Sequence, residues 1–360
     1  MPKNDPQNLL GLVASIRVDH AAYTLGYEAL RDALRSVGSS ANPICLHIVG
    51  DTRTGKSTLL EDFIQQHGRK VTCEGSRQAV VYVKVPDKGT VKGLLERLLR
   101  ALGDPHWHRG SETNQTHRVL TLLERVRCRM IILDEFQHLS DKGQKKQLRS
   151  TADWLKTMVD SKQWALVAAG LPESASVIQS NRQLRERFDA PIVLPMFDWR
   201  QVDQRVQFRA VLKVFQSQLS SLQLPDLVST PMALRMYLAT AGRIGIVAKL
   251  LDRAVRNAVK SGSHDISCAA LGKAFAEVVW YANRFPHEGG PFCSRLDEHC
   301  SAHLLDHVIA IASEDSYSDH SGEIQVVSNE SDRSVPSQSD AKRKAKRSVR
   351  QVKAALRGAA

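Results

Sequence analysis

"HIVGDTRTGKSTLL" spans His47–Leu60, and its reading decides the fold. Gly50 to Ser57 spells G-x-x-x-x-G-K-S. Just upstream, "ICLHIVG" is an apolar run that predicts a buried strand, and "STLLEDFIQQHG" after it has helical spacing stopped by Gly68. A glycine-bracketed loop between a strand and a helix is the setting in which this spacing cradles phosphate. The glycines let the backbone curl so that successive amides converge on one anion, and the helix N-terminus adds its dipole. Gly50, Asp51, Thr52, Arg53, Thr54, Gly55, Lys56, Ser57 and Thr58 are therefore expected to hold a nucleotide. Lys56 is expected on the β and γ phosphates and Ser57 on Mg2+. The chain has no N-K-x-D element of the kind that reads guanine, so ATP is the expected nucleotide.

Working outward, "QAVVYVKV" (78–85), "MIILDE" (130–135) and "WALVAAG" (164–170) predict further strands. Between them lie helical patterns at 91–103, 117–127 and 145–159, and a short helix ends near "NRQLRERF" (181–188). Strands alternating with helices specify a parallel sheet covered on both faces. Helical spacing also marks 8–38, so an N-terminal helical segment (1–40) precedes an α/β P-loop core (41–197). Beyond residue 197 the strand patterns stop. Asp198 with Gln201 reads as a capping box opening a helix to about Leu222, with Val202, Val206, Val211, Phe215 and Leu219 on one side. Thr230-Pro231 opens a second helix ending near Gly242, and 244–262 and 266–285 supply two more. The fold class expected is thus α/β with a C-terminal all-helical lid (198–285). Residues 286–340, rich in Ser and acidic groups, read as a disordered linker, and 341–360 as a basic tail.

"MIILDEFQHL" complements the loop. A carboxylate ending a buried strand is costly unless it faces an ion, which assigns Asp134 to the Mg2+ shell. Glu135, at the C-terminal edge where open α/β sheets bind ligands, is placed to orient or deprotonate an attacking water. "NRQLRERF" puts three arginines within six residues. Such a cluster suits a cation that a neighbouring subunit inserts against the transferring phosphoryl group. Arg187, just before Phe188, is the first choice, with Arg182 and Arg185 as alternates. Arg243 in "GRIG" begins a lid helix from which it can reach back toward the γ phosphate.

The chain has 360 residues and a formal net charge of +12, with no apolar run of membrane-spanning length. No signal-peptide pattern opens it, so a cytoplasmic protein without a membrane partner is expected. The charge favours a polyanionic partner. Six scattered cysteines read as free thiols, and Cys293, His299, Cys300, His303 and His307 lack the pair spacing of a zinc module.

Taken together, "LHIVGDTRTGKSTLLEDF", "MIILDEFQHL", the block from "ADWLKTMV" through "NRQLRERFDAPIVLPMFDW" and "ATAGRIGIVAKLLDRAVRNAV" resemble AAA+ ATPases, and within them the TniB and TnsC family of transposition ATPases. The resemblance covers about residues 15–270. It implies an ATP hydrolase that assembles on double-stranded DNA as a homo-oligomeric ring or helical filament. It also implies two protein partners, a DDE transposase (TniA- or TnsB-like) and a target selector (TniQ- or TnsD-like). Lys56, Ser57, Asp134, Glu135 and the arginine cluster match the family's nucleotide motifs, whereas "WALVAAGLP" carries no polar sensor side chain where many AAA+ proteins have Asn or Thr. A filament indifferent to sequence contacts phosphates rather than base edges. The expected contacts are Lys88, Thr90 and Lys92 in "PDKGTVKG", and Lys142, Lys145 and Lys146 in "SDKGQKK". Two other readings stay open: a helicase-loader or initiator-like AAA+ ATPase of replication, and a solitary signalling ATPase whose basic tail binds RNA or membrane.

Overall fold

The structure, a computed structural model, describes residues 9–39, 42–72, 75–87, 89–140, 145–161, 163–293 and 301–318, with side chains omitted at 70–76, 145–147 and 314–318. The N-terminal segment forms a single turn, α1 (Leu12–Ser15), and then α2 (Ala21–Ser36). The core follows as β1 (Leu46–Val49), α3 (Lys56–His67), a hairpin of β2 (Lys70–Thr72) and β3 (Gly75–Arg77), β4 (Val80–Lys84), α4 (Val91–Ala101), α5 (Glu112–Arg125) and β5 (Met130–Asp134). It continues through α6 (Lys145–Asp160), β6 (Ala165–Gly170), α7 (Ala175–Gln179), α8 (Arg182–Arg185) and β7 (Ile192–Val193). The lid is α9 (Val202–Gln218), α10 (Thr230–Thr240), α11 (Ile244–Ser261), α12 (Cys268–Val278) and α13 (Ala302–Ser318).

Five parallel strands lie in the order β4-β5-β6-β1-β7. β1, β5 and β6 are buried at every position, as strands covered on both faces must be. Alternate residues feed two cores. Leu46, Ile48, Ile132, Val167 and Ala169 pack with Leu59, Leu60 and Phe63 of α3 and with Leu30 and Ala33 of α2. Ile131, Leu133, Leu166 and Ala168 pack instead with α4, α5 and α6 and with Val177 and Leu184 beyond β6. The chain thus leaves β1 for α3 on one face of the sheet and leaves β6 for α7 and α8 on the other. The crevice this opens at their C-terminal ends is where a ligand is received in an open parallel sheet.

β7 was not foreseen in the sequence. It is two residues between Pro191 and Pro195, and pairs Ile48↔Ile192 and Val49↔Val193 on the free edge of β1. In the lid, α9 is phased differently from the expectation. Phe208, Val211, Leu212, Phe215 and Leu219 are buried, at helical spacing, while Val202 and Val206 are exposed. The capping box is also corrected. The helix starts at Val202 with no side-chain cap, and the Asp198 carboxylate instead accepts from the Arg200 amide and guanidinium. The linker expected from Pro286 does not begin there. Phe292 is buried in the lid core, and α13 adds Leu304, Leu305, Val308, Ile311 and Ala312 to it at a spacing of one helical face. His299, Cys300 and residues 319–360, with the basic tail, lie outside the described residues. No helix among the described residues is long and apolar enough to cross a membrane.

The N-terminal segment touches both parts of the fold. Val13 of α1 is buried in the lid core, and α2 is fixed to α3 by Asp62, which accepts from Arg17 Nε at 2.7 Å and from the Tyr23 hydroxyl at 2.6 Å.

Two predictions follow from this packing. Leu305→Ala is expected to lower unfolding free energy by about 2–3 kcal/mol in chemical denaturation, whereas a solvated linker residue would change it by less than about 0.5 kcal/mol. His47 on β1 is buried against Ser174, and burial lowers its pKa to about 4. The unfolded imidazole binds its proton near pH 6.5, so stability is full above that value and falls as pH drops toward 4. From pH 7 to pH 5 this one group costs about 2 kcal/mol. His47→Gln is expected to flatten that part of the pH profile.

Candidate functional site

The loop from Gly50 to Gly55 is clamped from several sides. The Gly50 amide donates to the Gly170 carbonyl at 3.2 Å, and the Leu194 amide beyond β7 donates to the Val49 carbonyl at 2.7 Å. A Cβ on Gly50 would lie 2.5 Å from the Leu194 carbonyl oxygen, so only glycine passes between strand and loop. Arg53 and Gly55 adopt positive φ, 60° and 102°, and their left-handed turns draw the loop into a cup. Thr54 is buried and closes the turn by donating to the Asp51 carbonyl at 2.9 Å.

Lys56, Ser57 and Thr58 open α3 on the cup's rim. The Lys56 ammonium is buried and donates to the carbonyls of Gly50 and Asp51, each at 2.7 Å. Burial lowers its pKa, while the carboxylates of Glu135, Asp134 and Asp51 oppose the shift. It is thus a cation poised over a concave backbone, with an anion's place as its natural partner.

Asp134 ends β5, beside the loop, and is 1% exposed. Its oxygens accept from the Tyr82 hydroxyl at 2.8 Å and from the Glu135 amide at 2.9 Å. Burial and this carboxylate together push the Tyr82 phenol well above its usual range. Tyr82 was not singled out in the sequence, although the register places β4 directly alongside β5. Ser57 and Asp134 offer hard oxygen donors of the kind Mg2+ takes, and the burial of Asp134 is what a carboxylate meant for an ion requires. Residues of the cup and of β5 therefore suit a nucleotide with its divalent ion.

Glu135 sits in the left-handed region, φ 55° and ψ 40°, a rare conformation for a residue with a side chain. Its carboxylate accepts from Gln137 Nε2 at 2.6 Å, and Gln137 Oε1 in turn accepts from the Leu171 amide at 3.1 Å. Gln137 was also missed, although it stands within the quoted "DEFQHL".

Arg243, the N-cap of α11, is 3% exposed and reaches the loop. It pairs with Asp51 Oδ2 at 3.0 Å and donates to the Ala312 carbonyl of α13 at 2.8 Å. Next to it, the Gly245 amide donates to the Arg53 carbonyl at 2.9 Å, and a Cβ at Gly245 would meet Arg53 at 2.9 Å. The lid therefore rests on the loop by backbone contact.

The arginine cluster stands apart from these groups. Arg187 is engaged with Asp160 of α6 at 2.9 Å, and Arg182 with Glu186 at 2.9 Å. Arg185 is exposed, and its guanidinium has no hydrogen-bond or ion-pair partner among the described residues. Of the lysines expected on DNA, Lys92 is exposed on α4, and the exposed Thr90 caps that helix through the Gly93 amide at 3.0 Å. Gly89 packs against the backbone of His138, so the segment before α4 and the segment after β5 lie side by side. Lys88, Lys142 and the side chains of Lys145 and Lys146 lie outside the described residues.

The fold has known counterparts. The Orc2 protein of Aeropyrum pernix in its ADPNP-ADP complexes is similar over 74% of this chain and 71% of its own, at 14% identity and a TM-score of 0.54. Orc1 of Aeropyrum pernix in complex with DNA matches over 84% and 86%, at 16% identity and a TM-score of 0.53. Cdc6p from Pyrobaculum aerophilum matches over 74% and 73%, at 16% identity and a TM-score of 0.53. At such identities the likeness is one of fold, and the fold is that of AAA+ ATPases: a P-loop core with a helical lid. No curated protein matches the chain. The model of the bacterial TniB protein family matches residues 16–200, just over half of the chain and the whole of the nucleotide cup, Asp134, Glu135 and the arginine block, and the chain belongs to that family.

Proposed function

We propose that this TniB-family chain is an ATP hydrolase that oligomerises on double-stranded DNA and couples target-site selection to a DDE transposase. The observation that carries the reading is the joint presence, within the segment matching the TniB model, of the phosphate cup and the buried Asp134 with Glu135 beside it.

In this reading the loop amides and Lys56 bind the β and γ phosphates of ATP. Ser57 and Asp134 hold Mg2+, which neutralises charge on the phosphates when bound. Glu135 takes the proton of the attacking water, its carboxylate fixed at the open end of the sheet. The γ phosphate competes with Asp51 for Arg243, so nucleotide binding is read by the lid. Completing the site requires a cation from a second subunit, and Arg185 suits that role best because its guanidinium, alone of the three, is free of an intrachain partner among the described residues. Arg187 instead secures α8 to α6. The duplex is met by phosphate contacts from Thr90 and Lys92, with Lys88, Lys142, Lys145 and Lys146 on the adjoining segments. A transposase of the TniA or TnsB kind and a selector of the TniQ or TnsD kind are the protein partners, and the compartment is the cytoplasm. The likeness to Orc and Cdc6 proteins is one of fold and does not by itself favour a role in replication.

Lys56→Ala is expected to abolish ATP-dependent binding to duplex DNA, measured by sedimentation and electron microscopy. Glu135→Gln is expected to bind ATP and trap the assembly. Normal assembly by Lys56→Ala overturns the reading. Arg185→Ala and Lys56→Ala, each inactive alone, are expected to regain part of the DNA-stimulated ATPase when mixed, because one subunit's intact cup meets another's intact arginine. Failure of the mixture, with recovery when Arg187→Ala replaces Arg185→Ala, would reassign the finger. Retention of the DDE transposase on ATP-loaded filaments, absent with ADP, tests the coupling.

A further inference from the structure

β6 ends in Ala168-Ala169-Gly170, so the strand beside β1 brings no polar side chain to the crevice. Something polar nevertheless occupies the space. A Cβ on Gly170 would lie 2.5 Å from Gln137 Oε1, so a side chain at 170 and the Gln137 amide exclude one another. Gln137 is 2% exposed, and both ends of its amide are spent. Their orientation is forced by chemistry. The Leu171 amide needs an acceptor and the Glu135 carboxylate a donor, so the oxygen must face Leu171 and the NH2 group Glu135.

The contact does not end at Leu171. Its carbonyl accepts from the Ser174 hydroxyl, which lies 2.9 Å from His47 Nε2 on β1. Gln137, Leu171, Ser174 and His47 are all buried. The Glu135 carboxylate is therefore tied through one side-chain amide to the turn that starts α7 and α8, the segment bearing Arg182, Arg185 and Arg187. A glutamate on a left-handed turn, with several free side-chain torsions, needs such a tether to keep one aim.

We propose that Gln137 is the positioning residue for Glu135, supplying from the segment after β5 the polar contact that β6 lacks, and linking the aim of the base to the turn that leads into the arginine block. This rests on the reading of Glu135 as the group that activates water.

The test uses the full chain with duplex DNA and ATP. Ionised, the carboxylate of Gln137→Glu keeps an acceptor for the Leu171 amide but loses the donor to Glu135, whereas Gln137→Leu loses both; kcat is therefore followed from pH 7 to 9, because a protonated carboxyl would still donate to Glu135. Gln137→Glu is expected to lower kcat by about 30-fold or more, with KM and the Kd of a fluorescent ATP analogue changed by less than about threefold. Both variants should lower the melting temperature, Gln137→Glu by setting two buried carboxylates against each other and Gln137→Leu by leaving the Leu171 amide without an acceptor, so each kcat is read well below the melting transition. In the Glu135→Gln background, Gln137→Glu should add no further loss in single-turnover hydrolysis, because a residue acting only through Glu135 has nothing left to position. Unchanged kcat in Gln137→Glu, or losses that multiply in the double variant, overturns the assignment. Undiminished hydrolysis by Glu135→Gln overturns instead the reading of Glu135, whatever Gln137 does.

Discussion

A loop that turns its amides toward an external anion cannot also use them to hold itself together, and the rest of this fold answers that constraint. The backbone from Gly50 to Gly55 gets its shape from neighbours: the Gly170 carbonyl of β6, the Leu194 carbonyl after β7 and the Gly245 amide of the lid. Each reaches the loop through backbone atoms, which leave no room for variation in side-chain length. The sheet order matters for the same reason, because only with β6 and β7 flanking β1 do both carbonyls lie at the loop's base. Packing of the two apolar faces then fixes those strands to within the tolerance that hydrogen bonds demand.

Much of this was legible in the sequence because it rests on local patterns. Four strands of the sheet announce themselves as apolar runs, and the spacing of Gly50, Gly55, Lys56 and Ser57 carries its chemistry with it. Other parts depend on partners that no local pattern reveals. β7 is two residues long and exists by pairing with β1, not by any alternation of its own. Val202 and Val206 are apolar yet exposed, since which face of α9 is buried is decided by the helices it meets. α13 has a clear apolar face, Leu304, Leu305, Val308 and Ile311, but composition averaged over its polar surroundings hides it. Tyr82 and Gln137 were invisible for a further reason. Each acts by touching an acidic residue from a neighbouring element or turn, and a contact is not a property of a single stretch of chain.

The lid's own connection to the cup is electrostatic as well as steric. Arg243 is buried; its charge is balanced by Asp51, and the carbonyl of Ala312 accepts a further hydrogen bond from it. A buried guanidinium that exchanges one anion for another keeps its hydrogen-bonding capacity filled throughout, so the exchange avoids the large cost of an unpaired buried charge. That is a requirement for any group that must respond to a bound phosphate without destabilising the protein in its absence.

The N-terminal segment is a second covalent tie between lid and sheet. α1 is anchored in the lid core by Val13, and α2 is anchored on the sheet side through Leu30 and Ala33. Only residues 16–20 join them. Five residues span at most about 17 Å when fully drawn out, and Ile16 and Val18 already lean on the lid. The two parts are thus leashed at a second point besides the chain at 197–201, so any displacement of lid from cup is bounded by the slack in the shorter of two tethers.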